Sequence, residues 1–155
     1  MDISVFCRAT VRNGAVLGLA LWAGLAAAAT EIDSPVSAVV NPTPAVAVPI
    51  EAENLIELYQ SVPGLRIIDT RLQEDHALGH IERSHNLAAI DVNCGSLTHL
   101  TENRDTAMVF YCNGGDAGSS VQALHVAASC GYRRLFWLRG GFIEWQDKDY
   151  PFVFE

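Results

Sequence analysis

The chain has no CxxC pair, no run of basic residues and no apolar stretch as long as a bilayer is thick. Each absence removes a class of protein. Without CxxC spacing among its 4 cysteines, a zinc knuckle or a thioredoxin-type site is not expected. With 10 basic against 18 acidic residues, nucleic acid and anionic lipid surfaces are poor partners. The longest uncharged apolar run, Gly14 to Ala29, has 16 residues where a span needs about 20. Arg8 and Arg12 precede it and alanines close it, the pattern of a secretory signal with cleavage after Ala28 or Ala29. An uncleaved signal anchor is the alternative. Cys7 lies before the run and no cysteine follows it directly, which argues against a lipoprotein. The expected location is therefore outside the cytoplasm, in the periplasm, or at the inner membrane if residues 14–29 stay as an anchor. Loss of residues 1–29, with Arg8, Arg12 and Asp2, makes the net charge one unit more negative than the −8 of the full chain.

Residues 30–49 hold Pro35, Pro42, Pro44 and Pro49, too many for a regular helix, and read as a semi-extended linker. No internal repeat is visible. The folded domain is expected over residues 50–155, a usual size. Within it Leu55, Ile56 and Tyr59 recur at helical spacing between Glu51 and Gln60. Pro63-Gly64 predicts a turn, Leu65 to Thr70 a buried strand, and Leu72 to Leu78 a short helix ending near Gly79. Asn86 to Val92 reads as irregular, with room for a short strand at Leu87 to Ile90, and a helix is expected at Leu97 to Leu100. Ala107 to Tyr111 is a wholly apolar strand, followed by a helix over Val121 to Ser129 that Gly131 ends. A strand at Leu135 to Leu138, a break at Gly140-Gly141 and a short helix at Phe142 to Gln146 complete the pattern. Alternating strands and helices predict an α/β domain with a central, mainly parallel sheet flanked by helices.

Such sheets bind ligands beyond the carboxyl ends of their strands. Cys112 stands there, at the end of the strand 107–111, with Gly114, Gly115 and Gly118 in the turn after it. Glycines let successive N–H groups point inward and form an anion-binding nest. The following helix adds its positive end. A cysteine so placed is expected to have a lowered pKa and to act as a thiolate nucleophile, with the N–H groups of Asn113, Gly114, Gly115, Asp116, Ala117 and Gly118 holding the anionic sulfur adduct. The bland alternative is an inert core cysteine. Cys94, Cys112 and Cys130 remain after removal of the leader, an odd number. Cys130, at a helix end, is expected to serve packing only. Cys94, in the segment Asp91-Val92-Asn93-Cys94-Gly95-Ser96, could approach Cys112 and form a redox switch with it.

Four segments in order resemble the rhodanese family of sulfurtransferases, over about Ile50 to Pro151. Ile68-Asp69-Thr70-Arg71 is similar to the family's aspartate-x-arginine strand end. Gly79-His80-Ile81 is similar to its glycine-histidine-isoleucine turn, with Asn86 following. Tyr111-Cys112-Asn113-Gly114 looks like the active loop of a single-domain subgroup. Gly131-Tyr132, Leu138-Arg139-Gly140-Gly141-Phe142, Trp145 and Tyr150-Pro151 resemble the C-terminal signature. The resemblance implies a single rhodanese-like domain in which Cys112 takes a sulfane sulfur as a persulfide. The donor would be thiosulfate, a persulfide or a polysulfide, and the acceptor cyanide, a thiol or a protein sulfur acceptor, with no cofactor.

The departures bear on the substrate. Ala117 and Ser119 fall where the subgroup often has a second cysteine and an arginine, so an intraloop disulfide is excluded and a side-chain anchor for thiosulfate is missing. Asp116 adds repulsion. Gly118 stands six residues after Cys112, where related phosphatases carry an arginine clamp, which argues against a phosphatase or an arsenate reductase. The segment Glu82-Arg83-Ser84-His85 also departs from the family pattern, as a surface turn. Asp69 and Arg71 are expected to be a structural pair, because buried charges persist when paired. His80 is expected to hydrogen-bond locally. His76, His80 and His85 together lack helical ligand spacing, so no metal site is expected. Arg139 is a candidate contact for an anionic donor, while Trp137 and Trp145 read as core. The rival to an enzyme is a catalytically idle rhodanese-like module that binds a partner or senses redox state.

Overall fold

The computed structural model describes residues 46–115 and 118–155. The expected leader at 1–29, most of the linker, Cys7, Asp116 and Ala117 lie outside the described residues.

The strands are β1 (Val48–Ile50), β2 (Arg66–Asp69), β3 (His80–Ile81), β4 (Ser84–Asn86), β5 (Ala107–Tyr111), β6 (Arg134–Leu138) and β7 (Phe152–Val153). The helices are α1 (Ala52–Ser61), α2 (Gln73–Ala77), α3 (Cys94–Leu100), α4 (Gly118–Ser129) and α5 (Gly141–Asp147), with a 3₁₀ turn at Ala89–Asp91. Five strands form one parallel sheet in the order β1-β6-β5-β2-β4. β3 and β7 form a separate antiparallel pair.

Strand β5 is at the centre, and all its residues are buried. That is why it reads as continuous apolar sequence: a parallel strand covered on both faces has no polar side. Its side chains still alternate. Met108 and Phe110 join Ile68, Leu97, Leu124, Leu135 and Trp137 under α3 and α4. Val109 and Tyr111 join Ile67, Leu55, Leu138, Phe142 and Trp145 under α1 and α5. Burial of a side chain such as Phe110 stabilises by about 1.5–3 kcal/mol.

Two expectations are corrected. The strand expected at Leu87 to Ile90 is instead β4 at Ser84–Asn86, followed by the 3₁₀ turn. β4 pairs with β2 as an edge strand, so pairing and not hydrophobicity makes it. It starts just after the tight turn at Arg83, whose φ is 63°. Sheet pairing also starts earlier than the expected domain boundary: Val48 and Pro49 pair with Phe136 and Trp137. β1 is an edge strand, where a proline is tolerated.

Candidate functional site

The ends of β2 and β5 lie side by side, with Asp69 opposite Tyr111. The backbone N–H and the hydroxyl of Thr70 both donate to the carbonyl of Tyr111, each at 2.8 Å. The chain entering Cys112 is thus clamped to the end of β2. From the other side, the N–H groups of Phe142 and Ile143 donate to the carbonyls of Cys112 and Asn113, each at 2.8 Å. These are first-turn donors of α5, which have no partner within their own helix.

The glycines make this approach possible. Gly114 has φ 134°, and a Cβ there would stand 2.1 Å from the carbonyl oxygen of Gly140. Gly141 has φ 62°, and its Cβ would stand 2.4 Å from the carbonyl oxygen of Cys112. The pair Gly140-Gly141 therefore does more than end β6: it lets the next turn press against the cysteine loop.

Cys112 is 2% exposed and forms part of the wall of a cavity of about 460 Å³. The other walls come from Thr70, Arg71, Leu72 and Asp75 after β2, from Ala88 to Ile90, from Asn113, and from Ser119 and Gln122 on α4. The hydroxyl of Ser120 lies 3.3 Å from the Cys112 sulfur and accepts a hydrogen bond from the indole N–H of Trp137 at 3.1 Å. In the sequence Ser120 is only the residue before the helix expected at Val121 to Ser129, and Trp137 reads only as core. The available signal was weak: an indole N–H can only donate, so a buried tryptophan needs a nearby acceptor.

Asp69 and Arg71 form a buried ion pair. The Arg71 Nε lies 3.0 Å and 3.1 Å from the two carboxylate oxygens, its Nη2 2.5 Å from Oδ2, and its backbone N–H 3.0 Å from Oδ1. Nη2 also donates to the carbonyl of Gly79 at 2.7 Å, and the guanidinium covers the Phe142 ring at 4.3 Å. Burial pushes the Asp69 pKa up, but the hydrogen bonds from Arg71 and His76 outweigh it and hold the carboxyl below its ordinary value. Burial likewise opposes the charge on Arg71, and Asp69 more than offsets it. Tyr111, whose hydroxyl takes the N–H of Ile81 at 3.2 Å, is pushed well up by burial and by the Asp69 charge. Asn86 donates to the carbonyls of Asp69 and Arg71 at 3.3 Å and 3.0 Å and so braces the same strand end.

Three expectations change. Arg139 is not in the cavity wall; it is exposed and its guanidinium pairs with Glu51 at 2.9 Å. Cys94 does not pair with Cys112, and Cys130 is not there for packing alone. They are bonded to each other, Cα atoms 5.4 Å apart, where the start of α3 meets the residue after α4. A separation of 36 residues carries no local signal of this pairing. His80 donates to the carbonyl of His76 at 2.9 Å, and the two rings stack outside the cavity wall. His85 lies apart from them on β4.

The family model of the rhodanese-like domain matches residues 49–148. The chain belongs to the rhodanese-like domain family. Solved structures agree on the fold. The BH2092 protein of Bacillus halodurans is 18% identical with a TM-score of 0.62, covering 70% of this chain and 77% of that one. The Alr3790 protein of Anabaena is 20% identical with a TM-score of 0.61, covering 68% and 82%. A thiosulfate sulfurtransferase of Pseudomonas aeruginosa is 16% identical with a TM-score of 0.61, covering 70% of this chain but 20% of that longer one. No curated protein matches the chain. The α/β architecture, a parallel five-stranded sheet flanked by helices, is that of a rhodanese-like domain.

Proposed function

We propose that this rhodanese-like domain is a sulfurtransferase that carries sulfane sulfur on Cys112. The observation that carries the reading is the placement of that sulfur: in a cavity wall at the carboxyl ends of two adjacent parallel strands, beside the Ser120 hydroxyl. The Cys112 thiolate attacks the outer sulfur of the donor. The donor's sulfur–sulfur bond breaks, and its remaining thiolate leaves with the bonding pair. The acceptor, a thiolate or cyanide, then attacks the outer sulfur of the persulfide, and Cys112 leaves as thiolate. Main-chain N–H groups of Asn113, Gly114, Gly115 and Gly118, and the start of α4, stabilise the persulfide anion. The Ser120 hydroxyl supports the sulfur that alternates between attacking and leaving roles.

The cavity wall carries one cation and one anion, Arg71 and Asp75, among the described residues. The Arg71 guanidinium is engaged by Asp69 and the Gly79 carbonyl. Exposed Leu72 and Ile90 flank the opening. This balance favours a persulfide or polysulfide donor over thiosulfate, whose sulfonate wants a positive clamp. The name of the Pseudomonas neighbour, a thiosulfate sulfurtransferase, supports the reaction class. Export, with residues 14–29 as leader, is part of the same reading, supported by the Cys94–Cys130 disulfide, a bond that persists in oxidising compartments.

Intact mass after incubation with polysulfide, with a low-molecular-weight persulfide and with thiosulfate tests the reading. The expected result is a gain of one sulfur atom, absent in Cys112→Ser and discharged by added thiol or cyanide. An unloaded Cys112 with all three donors would leave the idle module as the answer.

A further inference from the structure

Two helices present faces of the same kind to the cavity beside Cys112. α2 contributes its N-cap Leu72 and, three residues on, Asp75; α4 contributes Ser119 and Gln122, also three apart. Residues at that spacing lie on one side of a helix. Glu74, one position before Asp75, is exposed and outside the cavity wall. Asp75 is therefore on the cavity side of α2, where it is half-buried.

The polar groups of the wall differ in what they have left to offer a ligand. The Thr70 hydroxyl is spent on the Tyr111 carbonyl at 2.8 Å. The Arg71 side chain, 5% exposed, is held by Asp69 and by the Gly79 carbonyl, so its charge is matched before any ligand arrives. Asp75 is different. Among the described residues no cation and no hydrogen-bond donor engages its carboxylate. Elsewhere in this acidic chain Glu51, Glu53, Asp105 and Glu144 each have a basic partner. The charge that the described wall leaves for a ligand is thus negative, beside the apolar surface of Leu72 and Ile90. Such a carboxylate attracts a positive group and repels a negative one. Two unit charges about 4 Å apart change a rate or equilibrium about 5-fold in water, and more at a protein wall of lower dielectric.

We propose that Asp75 sets the charge of the sulfur acceptor, and that Cys112 passes its outer sulfur to a small thiol carrying an ammonium group. The inference rests on the sulfurtransferase reading of Cys112. The ammonium lies against the Asp75 carboxylate and the short carbon chain against Leu72 and Ile90. The acceptor enters as a thiolate and bonds to the outer sulfur of the persulfide. The bond between that sulfur and Cys112 Sγ breaks, Cys112 keeps the electron pair as thiolate, and the acceptor leaves as its own persulfide. Asp75 takes no part in the bond changes; it is a specificity residue. An anionic thiol meets the same carboxylate with the opposite sign, and a neutral thiol gains nothing from it.

For the test, Cys112 in the full chain is loaded with polysulfide and the excess donor is removed. Discharge is then timed by intact mass with cysteamine, which is positive, mercaptoethanol, which is neutral, and thioglycolate, which is negative. Each acceptor is compared with itself on the unmodified chain and on Asp75→Asn, which cancels differences in intrinsic thiol reactivity. Asp75→Asn should slow discharge by cysteamine about 5-fold or more, leave mercaptoethanol unchanged and speed thioglycolate. Asp75→Ser also removes the carboxylate and serves if Asp75→Asn folds poorly. Glu74→Gln removes the same charge one residue away, outside the wall, and should leave all three rates as they are. Loading followed by discharge that loss of the Asp75 carboxylate changes equally for the three acceptors, or not at all, overturns this proposal and leaves Cys112 a carrier. So does a matching change in Glu74→Gln, which would trace the effect to net charge alone. A chain that never loads overturns both readings.

Discussion

Cys112 gains its setting from neighbours that sequence reading assigns to other tasks. The Trp137 N–H holds the Ser120 oxygen, and that oxygen lies beside the sulfur. A hydrogen bond to a charged group contributes about 1.5–3 kcal/mol. Ser120→Ala is therefore expected to slow sulfur loading of Cys112 by on the order of 10- to 100-fold, read by intact mass against time. An unchanged loading rate in a folded Ser120→Ala protein rejects a role for the hydroxyl. Asp69 yields a second prediction, one of pH. Its carboxyl is held below the ordinary value, since the Arg71 and His76 hydrogen bonds outweigh the opposing burial. A lowered folded-state pKa means that the unfolded chain takes up the proton first. The contribution is complete above the ordinary aspartate pKa of about 3.9 and is lost as pH falls below it toward the folded value. Tm should drop on that acid side, and Asp69→Asn, less stable from the outset, should drop less over the same interval. Parallel acid limbs for the two proteins would show that the pair has no such linkage.

Among the elements, the cysteine loop and α5 are built to touch. Gly114 faces the Gly140 carbonyl, and its backbone angle lies in the region that favours glycine. Gly114→Ala has to move one of two backbones, so it should lower Tm and sulfur loading together. Gly64→Ala, also at positive φ (74°) but with open space around it, should cost stability alone, on the order of 1 kcal/mol. A Gly114→Ala protein with full loading and unchanged Tm would show that the close approach is unimportant. The same contacts explain what could be read beforehand. β5 and α4 were legible because burial on both faces writes itself as an apolar run, and because glycines flank the helix. The role of Gly140-Gly141 was legible only as a strand break, since the partner they press against is 26 or more residues upstream. β4 was invisible because Ser84-His85-Asn86 has no apolar side, and its strand character comes from pairing with Ile67 to Asp69. Ile90, the last residue of the short strand expected at Leu87 to Ile90, is instead an exposed part of the cavity wall. The cysteine itself could be found locally, because a strand end, a glycine turn and a helix start are consecutive in the chain. Its hydroxyl neighbour could not, because which face of α4 meets the sulfur depends on Trp137 from the next strand.

For the molecule as a whole, the Cys94–Cys130 bond decides what the third thiol can do. It joins the start of α3 to the end of α4 across a separation of 36 residues, on the face of the sheet that these helices cover. With both thiols consumed, neither is placed to capture a persulfide on Cys112 as an intramolecular disulfide. On the proposed reading, sulfane sulfur on Cys112 then leaves to an outside acceptor and not to Cys94 or Cys130, as a carrier requires and a redox switch between Cys94 and Cys112 does not. The bond also restricts the unfolded chain. Closing a loop of that length removes entropy equivalent to about 3–4 kcal/mol. For a domain of roughly 100 residues this corresponds to a fall in Tm of about 10 °C or more when the bond is cut. Cys94→Ser and Cys130→Ser should each reproduce the fall seen on reduction, and the double variant should add little to either single one. Because α4 also carries Ser119, Ser120 and Gln122 beside the cavity, a looser helix should slow loading, whereas the final extent of loading on Cys112 should stay at one sulfur atom. Peptide mapping without reductant, Tm and loading time courses on these three variants check this together. A Cys94–Cys112 linked peptide in the unmodified protein, or a Tm indifferent to reduction, would reject the division of labour between the paired cysteines and the carrier.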